Sequence, residues 1–230
     1  MKKVLAFDVY GTLIDPHGVV ALLQSMVGEQ AVAFSSLWRN KQLEYTFRRA
    51  AMGGGNHYRD FGVCTQAGLD YADQVLNTEL SIVNKQALMA VYGELPAFDE
   101  VPKSLQQLQK SGLDCWAFSN GTPTGVAKVL AHAQIDQHLL GVFSVNQVRT
   151  FKPAAAVYDA FAKQHARSQS GNCVLISSNP FDVIGAKAAG WQAIWVQRTP
   201  ENVFDPWELQ PDANITGLQQ LPDAVNSLET

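Results

Sequence analysis

The chain has 230 residues, 47% of them hydrophobic and 17% charged, with 17 Lys+Arg against 21 Asp+Glu for a formal net charge of −4. That length suits one large domain, or a core carrying an inserted subdomain, with a sizeable interior. The mildly acidic balance argues against nucleic acid or an anionic membrane surface as a partner.

No apolar run approaches the roughly 18 residues that a membrane span needs, and Asp8 ends the first apolar run too early for a secretory signal. Cys64, Cys115 and Cys173 are an odd, widely spaced set without CxxC spacing. They are expected to be reduced, core-lying residues of a cytoplasmic protein.

Taken in chain order, short apolar runs at 4–7, 113–118, 140–145, 173–177 and 193–196 predict buried strands. The first is followed by a long stretch without a convincing strand. Amphipathic segments at 19–26, 31–51, 71–76 and 80–91 predict helices there, and the uneven spacing of Leu37, Leu43, Tyr45 and Phe47 predicts that the longest buries more than one side. Gly53-Gly54-Gly55 reads as a flexible turn. Pro16-His17-Gly18 and Gly93-Glu94-Leu95-Pro96 punctuate the two ends. The expected organisation is a core of 1–15 and 97–230 with a helical insertion at 16–96. Beyond it, Val101, Leu105 and Leu108 mark a helix closed by Gly112, and Pro153 marks the N1 position of another carrying Val157, Tyr158 and Phe161. This βαβα alternation predicts an α/β fold, a parallel sheet with helices on both faces. The tail from Thr199 is expected to wrap the surface. There is no internal repeat.

In an open α/β sheet, ligands sit beyond the carboxyl ends of the strands. Those ends carry Asp8 and then Val9-Tyr10-Gly11-Thr12; Ser119-Asn120-Gly121-Thr122; Lys152-Pro153; and Ser177-Ser178-Asn179 with Asp182 in the next turn. Two carboxylates, hydroxyls, amides and a lysine are thereby expected on one rim. Read singly, Asp8 could be a helix cap, Lys152 a solvated lysine, Arg39 a partner of Glu44, and Tyr158 plain core. The five histidines show no metal-ligand spacing, and there is no GxGxxG, Walker loop or GxSxG elbow.

Phe7-Asp8-Val9-Tyr10-Gly11-Thr12-Leu13 resembles the first motif of the haloacid dehalogenase superfamily, with Phe118-Ser119-Asn120-Gly121, Lys152-Pro153 and Ser177-Ser178-Asn179-Pro180-Phe181-Asp182 similar to the other three. Phosphatases of that superfamily usually carry a second Asp two residues after the first and a further acidic motif that holds Mg²⁺. Here those positions offer Tyr10 and only Asp182, a pattern that resembles the L-2-haloacid dehalogenase branch. The segment Leu37-Trp38-Arg39-Asn40-Lys41-Gln42-Leu43-Glu44-Tyr45-Thr46-Phe47 is similar to that branch's arginine-bearing cap segment. Asn40 stands where Gln is common and Phe181 where Trp is common, and the glycine triplet is a further departure.

The resemblance implies a Rossmann-like core with a helical cap, no cofactor or metal, a homodimer, and a 2-haloalkanoic acid as substrate. Asp8 would be the nucleophile that displaces halide from C2, with inversion, and the ester would then be hydrolysed. Thr12, Ser177 and Lys152 would stabilise that hydrolysis; Ser177 fits the motif register better than Ser178. Lys152 would keep Asp8 ionised, and Asp182 with Asn179 would position or deprotonate the water. Which of Asp182 and Lys152 activates it stays open. Ser119 and backbone N–H groups near Tyr10 would hold the substrate carboxylate, and Arg39 with Asn120 would receive the halide. Tyr10, Asn40, Leu43, Phe61 and Phe181 would form the pocket wall, and Tyr158 would sit beside the lysine. The rival readings are a Mg²⁺-dependent phosphohydrolase and a non-catalytic homologue that keeps the fold.

Overall fold

The computed structural model describes residues 3–166 and 169–228. Its centre is a six-stranded sheet of order β3-β2-β1-β4-β5-β6, from Val4–Phe7 (β1), Asp114–Ser119 (β2), Val142–Ser144 (β3), Cys173–Ser177 (β4), Gln192–Val196 (β5) and Ala213–Ile215 (β6). All five pairings are parallel. β1 is central and every one of its residues is buried, as expected of a parallel strand covered on both faces. The first five strands fall where the apolar runs predict them. The third is shorter than its run, because Leu140 stands 59% exposed before the strand begins.

The tail departs from expectation. After Thr199 the chain adds β6 to the sheet edge and ends in the helix Leu221–Ser227, whose Leu221 and Val225 are buried. Three residues of strand are too few to show a period, so the sequence carries no signal for them.

Between β1 and β2 lie the helices Val20–Val27 (α1), Ala31–Ala51 (α2), Phe61–Leu76 (α3), Ile82–Val91 (α4) and Val101–Lys110 (α5); Pro123–His132 (α6), Ala155–His165 (α7), Pro180–Ala188 (α8) and the terminal helix (α9) complete the set. α2 has the bounds that its sequence pattern gives. α3 starts ten residues earlier than expected, at a cap formed by the Asp60 carboxylate on the Val63 N–H (3.1 Å). Its Gly62 and Gly68 had masked the period. α7 begins at Ala155, not at Pro153: the Ala154 N–H bonds the Phe151 carbonyl at 2.9 Å, and this turn holds Lys152 in the interior.

One stretch, Pro16–Ala51, is long and apolar enough by composition to cross a membrane, which the sequence reading had excluded. In the fold it is interrupted at Gly28, which leaves α1 with eight residues, about 12 Å. α2 packs on α3, with the Trp38 indole N–H on the Thr65 carbonyl at 2.7 Å.

The chain leaves and re-enters the core through two adjacent crossings. Asp15 N–H bonds Pro96 O (2.9 Å), Phe98 N–H bonds Leu13 O (3.2 Å), and Ile14 bridges Ala97. A second contact ties the insertion's far end to the core. Gly53, Gly54 and Gly55 all have positive φ, and the Gly55 N–H bonds the Arg149 carbonyl at 3.0 Å. The triplet is therefore a docking point rather than a free turn. A Cβ on Gly54 would stand 2.6 Å from that carbonyl. Gly54→Ala, strained in both backbone and contact, is expected to destabilise by about 1–3 kcal/mol. Gly53→Ala meets nothing within 4 Å and should cost about 1 kcal/mol. Urea unfolding of the two variants checks the difference.

Candidate active site

β1 ends at Phe7, and the next residue, Asp8, is 5% exposed at the rim of the sheet. Its two oxygens have different surroundings. Oδ2 accepts from Thr12 Oγ1 (2.9 Å), Asn179 Nδ2 (2.6 Å) and Ser177 Oγ (3.3 Å). Oδ1 accepts from the Lys152 ammonium at 2.8 Å. The donors on Oδ2 are themselves aimed by backbone groups. The Ser178 N–H donates to Thr12 Oγ1 at 2.9 Å, which turns the threonine proton toward Asp8. The Asn179 N–H donates to Ser177 Oγ at 3.1 Å in the same way. Asn179 is the N-cap residue of α8, yet its side chain makes no cap bond; the amide is turned to Asp8 and the Tyr10 carbonyl instead.

Lys152 is 1% exposed. Its three ammonium protons reach Asp8 Oδ1, Asp182 Oδ2 (2.6 Å) and the Phe118 carbonyl (3.0 Å), the whole donor capacity of a lysine. Burial works against the charge, but Asp182 and Asp8 outweigh it and raise the lysine pKa above its ordinary value. Asp182 is wholly buried in the first turn of α8, with Oδ1 accepting from the Tyr158 hydroxyl at 2.7 Å. Burial lifts its pKa to about 6; Lys152 pulls down and Asp8 adds to the rise. The Tyr158 phenol is pushed well above 10.0 by burial and then by Asp182, so it stays a donor. Tyr158 reaches Asp182 because position 185 is glycine: a Cβ there would lie 2.4 Å from the tyrosine oxygen.

The insertion brings Arg39 to the same place. Its guanidinium donates to the Tyr10 carbonyl (3.1 Å) and to Gln42 Oε1 (2.7 Å). Burial lowers its pKa, opposed by Tyr92, Asp8 and Tyr10. Burial also pushes Tyr10 and Tyr92 up to about 12, keeping both phenols neutral. Asp8, Tyr10, Arg39, Leu43, Phe61, Ser119, Asn120, Asn179 and Phe181 enclose a cavity with about 10 Å³ free for the centre of a water-sized molecule, one water's worth. Tyr10 and Phe61 stack at 5.6 Å, and Phe181 is held edge-on by Phe47 at 4.9 Å. The Asn120 oxygen accepts the Lys152 backbone N–H at 2.9 Å, which leaves its amide nitrogen as the end free to donate.

Of the residues expected at the site, Asn40 alone is placed elsewhere. It is exposed on α2, about 100° round the helix from Arg39, so its expected place in the pocket wall is corrected. Gln42 is the residue that sequence reasoning missed. It is fully buried, accepts from Arg39 and donates to Thr65 Oγ1 at 2.6 Å. Ser35, Trp38, Gln42 and Thr46 form one stripe along α2, all of it buried, but three of the four are polar, so the sequence pattern reads as solvated.

Residues 2–190 match the family model of the haloacid dehalogenase-like hydrolases. The chain belongs to that family of hydrolases. It is 35% identical over 217 residues, 94% of this chain and 91% of the other, to the (S)-2-haloacid dehalogenase of Pseudomonas sp. (strain YL). Its fold is similar to the L-2-haloacid dehalogenase RSc1362, with a TM-score of 0.92 at 31% identity over 98% of this chain and 99% of that one. It is also similar to the L-2-haloacid dehalogenase from Xanthobacter autotrophicus with chloropropionic acid covalently bound (TM-score 0.88, 27% identity, 98% and 99% covered).

The raised Asp182 pKa fixes the sign of its effect on stability. The folded state holds this proton more tightly than the unfolded chain, whose carboxylate titrates near 4. Asp182 is therefore without penalty below about pH 4, and its penalty grows as pH rises to about 6 and stays constant above. Asp182→Asn should stabilise the fold at pH 8 by about 1–3 kcal/mol, with the gain fading toward pH 4. Denaturant melts of both proteins across that range measure it.

Proposed function

We propose that the chain hydrolyses short L-2-haloacids to D-2-hydroxy acids, with Asp8 as nucleophile and residues 16–96 as a cap domain over the core. The observation that carries this reading is the unequal sharing of hydrogen bonds on Asp8. Oδ2 is saturated by three donors, so Oδ1, held by Lys152 alone, is the oxygen that attacks C2 from behind the halogen. A C–O bond forms as the carbon–halogen bond breaks, and the halide leaves toward Arg39 and the Asn120 amide. Ser119 and backbone N–H groups near Tyr10 hold the substrate carboxylate, and Leu43, Phe61 and Phe181 contact the C2 substituent.

Water then attacks Cγ of the ester. The negative charge that builds on Oδ2 meets Thr12, Ser177 and Asn179, already in place as an oxyanion hole. Asp182 does not line the cavity, and Lys152 connects it to Asp8. As water attacks, Lys152 gives a proton to Asp182 and takes the water's proton in its place. The reverse transfer protonates the departing 2-hydroxyl, and the water's second proton leaves to solvent as Asp8 becomes a carboxylate again. The cavity as it stands has about 10 Å³ free for the centre of a water-sized molecule, too little for a haloacid. The substrate therefore enters with the cap swung away from the core, and the cap closes on it with the lining moved apart.

A metal is not needed in this scheme. Tyr10 and Asn179 stand where the phosphatase pattern has its further acidic residues, which disfavours the phosphohydrolase reading. Three buried thiols suit a reducing, cytoplasmic compartment. Apolar side chains exposed on the insertion, Val32, Ile82 and Val83 among them, suit contact with a second copy of the chain.

Halide release from L- but not D-2-chloropropionate, undiminished by EDTA, is the expected result. Phosphate release from p-nitrophenyl phosphate that requires Mg²⁺, with no chloride, would overturn it. Asp8→Asn should abolish turnover. Asp182→Asn should lower kcat about 10²–10⁴-fold while leaving one halide released per site. In the unaltered enzyme kcat should rise with pH through about 6 as Asp182 ionises; a flat profile from pH 5 to 8 would remove Asp182 as proton acceptor.

A further inference from the structure

The loop from Asp8 to Thr12 is held on its cavity side by the hydrogen bonds described above. Its other side is held by Arg198, two residues beyond the end of β5. The Arg198 side chain is 9% exposed. One terminal nitrogen donates to the Thr12 carbonyl. The other pairs with Glu100 at 2.5 Å, and the guanidinium lies 4.0 Å above the Phe98 ring. Glu100 is itself anchored, accepting the Leu218 N–H at 3.3 Å. Arg198 Nε is buried with no hydrogen-bond partner among the described residues. A guanidinium held in this way costs desolvation that one ion pair does not fully return. Its neighbours are the chain's two crossings between core and insertion: Thr12 lies on the way out and Phe98 on the way back, joined by the Phe98 N–H on Leu13 O.

We propose that Arg198 is a positioning residue for ester hydrolysis. It fixes the Thr12 carbonyl and through it the Thr12 hydroxyl on Asp8 Oδ2, without touching substrate. The proposal rests on the dehalogenase reading above and assigns Arg198 to one of its two half-reactions. Oδ1, which makes the bond to C2, is held from the opposite side by Lys152 and does not depend on the Thr12 backbone. Oδ2, which carries the oxyanion in the second step, does.

That division predicts an unusual kinetic pattern for Arg198→Gln. Slower hydrolysis of the ester lowers kcat and KM together, because the enzyme accumulates as the intermediate, while kcat/KM, set by the displacement, stays within about twofold. With L-2-chloropropionate, kcat should fall about tenfold or more. Halide should appear in a burst of one per site, and intact-protein mass spectrometry should show the 1-carboxyethyl ester of Asp8 during turnover. Arg198→Lys keeps the charge with a single donor group in place of the fork, and should recover part of kcat. Glu100→Gln leaves Arg198 in place but less firmly oriented, and should show the same pattern more weakly; it decides the question should the Arg198→Gln protein fail to fold. A merely structural role would reduce kcat and kcat/KM by the same factor as active enzyme is lost, with KM unchanged and no adduct, and that result overturns the proposal. An unaltered chain that releases no halide would instead overturn the dehalogenase reading itself.

Discussion

A single buried ammonium organises this protein's chemistry. Lys152 lies between Asp8 and Asp182 with almost no exposure, and burial disfavours the charged forms of both the lysine and Asp182. An isolated lysine in such surroundings would lose its proton and an isolated aspartate would gain one. Together they hold one positive charge against two negative, and the remaining negative charge is spread over donors from Thr12, Ser177, Asn179 and Tyr158. Replacing such a cluster with apolar side chains would commonly stabilise a fold. In the proposed reaction its place is chemical: it aims a buried carboxylate with charged and hydrogen-bonding partners on both oxygens.

The insertion completes that balance from outside the sheet. Arg39 adds a second cation within electrostatic reach of Asp8, so with Lys152 the site holds two cations against two carboxylates before substrate arrives. Its guanidinium is oriented through Gln42 and Thr65, a polar line that runs between α2 and α3 where an ordinary helix pair would be apolar. With the cavity closed, each of these interactions acts in a medium of lower dielectric than water and is correspondingly stronger.

The sequence makes the core legible and the insertion only partly so, for a physical reason. Parallel strands buried on both faces appear as unbroken apolar runs, and the polar residue that ends each run is where the sheet delivers it; Asp8, Ser119, Ser177 and Asn179 are all read from that rule. The two-residue displacement of the start of α7 follows from Lys152, whose burial needs a turn that a helix beginning at Pro153 would not allow. On α2, Gln42 and Thr46 look like a solvated face until α3 is laid against them, and Asn40, one step from Arg39, looks equivalent to its neighbour in a linear motif. Gly185 and Arg198 carry no local signal at all. Their roles depend on Tyr158 and Thr12, which are distant in sequence and close only in the folded molecule.

The position of β1 has a consequence for how the molecule comes into being. β1, which leads into Asp8, is synthesised before the other five strands of the sheet, yet it lies in the middle of the sheet, between β2 and β4. Ser177, at the end of β4, is 169 residues further along the chain than the carboxylate it contacts. Throughout synthesis of the insertion, an apolar strand and its aspartate wait without neighbours on either side. Pairings of such long range form slowly and expose sticky surface while they are incomplete. Two of the three donors on Asp8 Oδ2, Ser177 and Asn179, arrive only with the last third of the polypeptide, and Lys152 just before it, so the surroundings of Asp8 are completed late, when β4 pairs with β1.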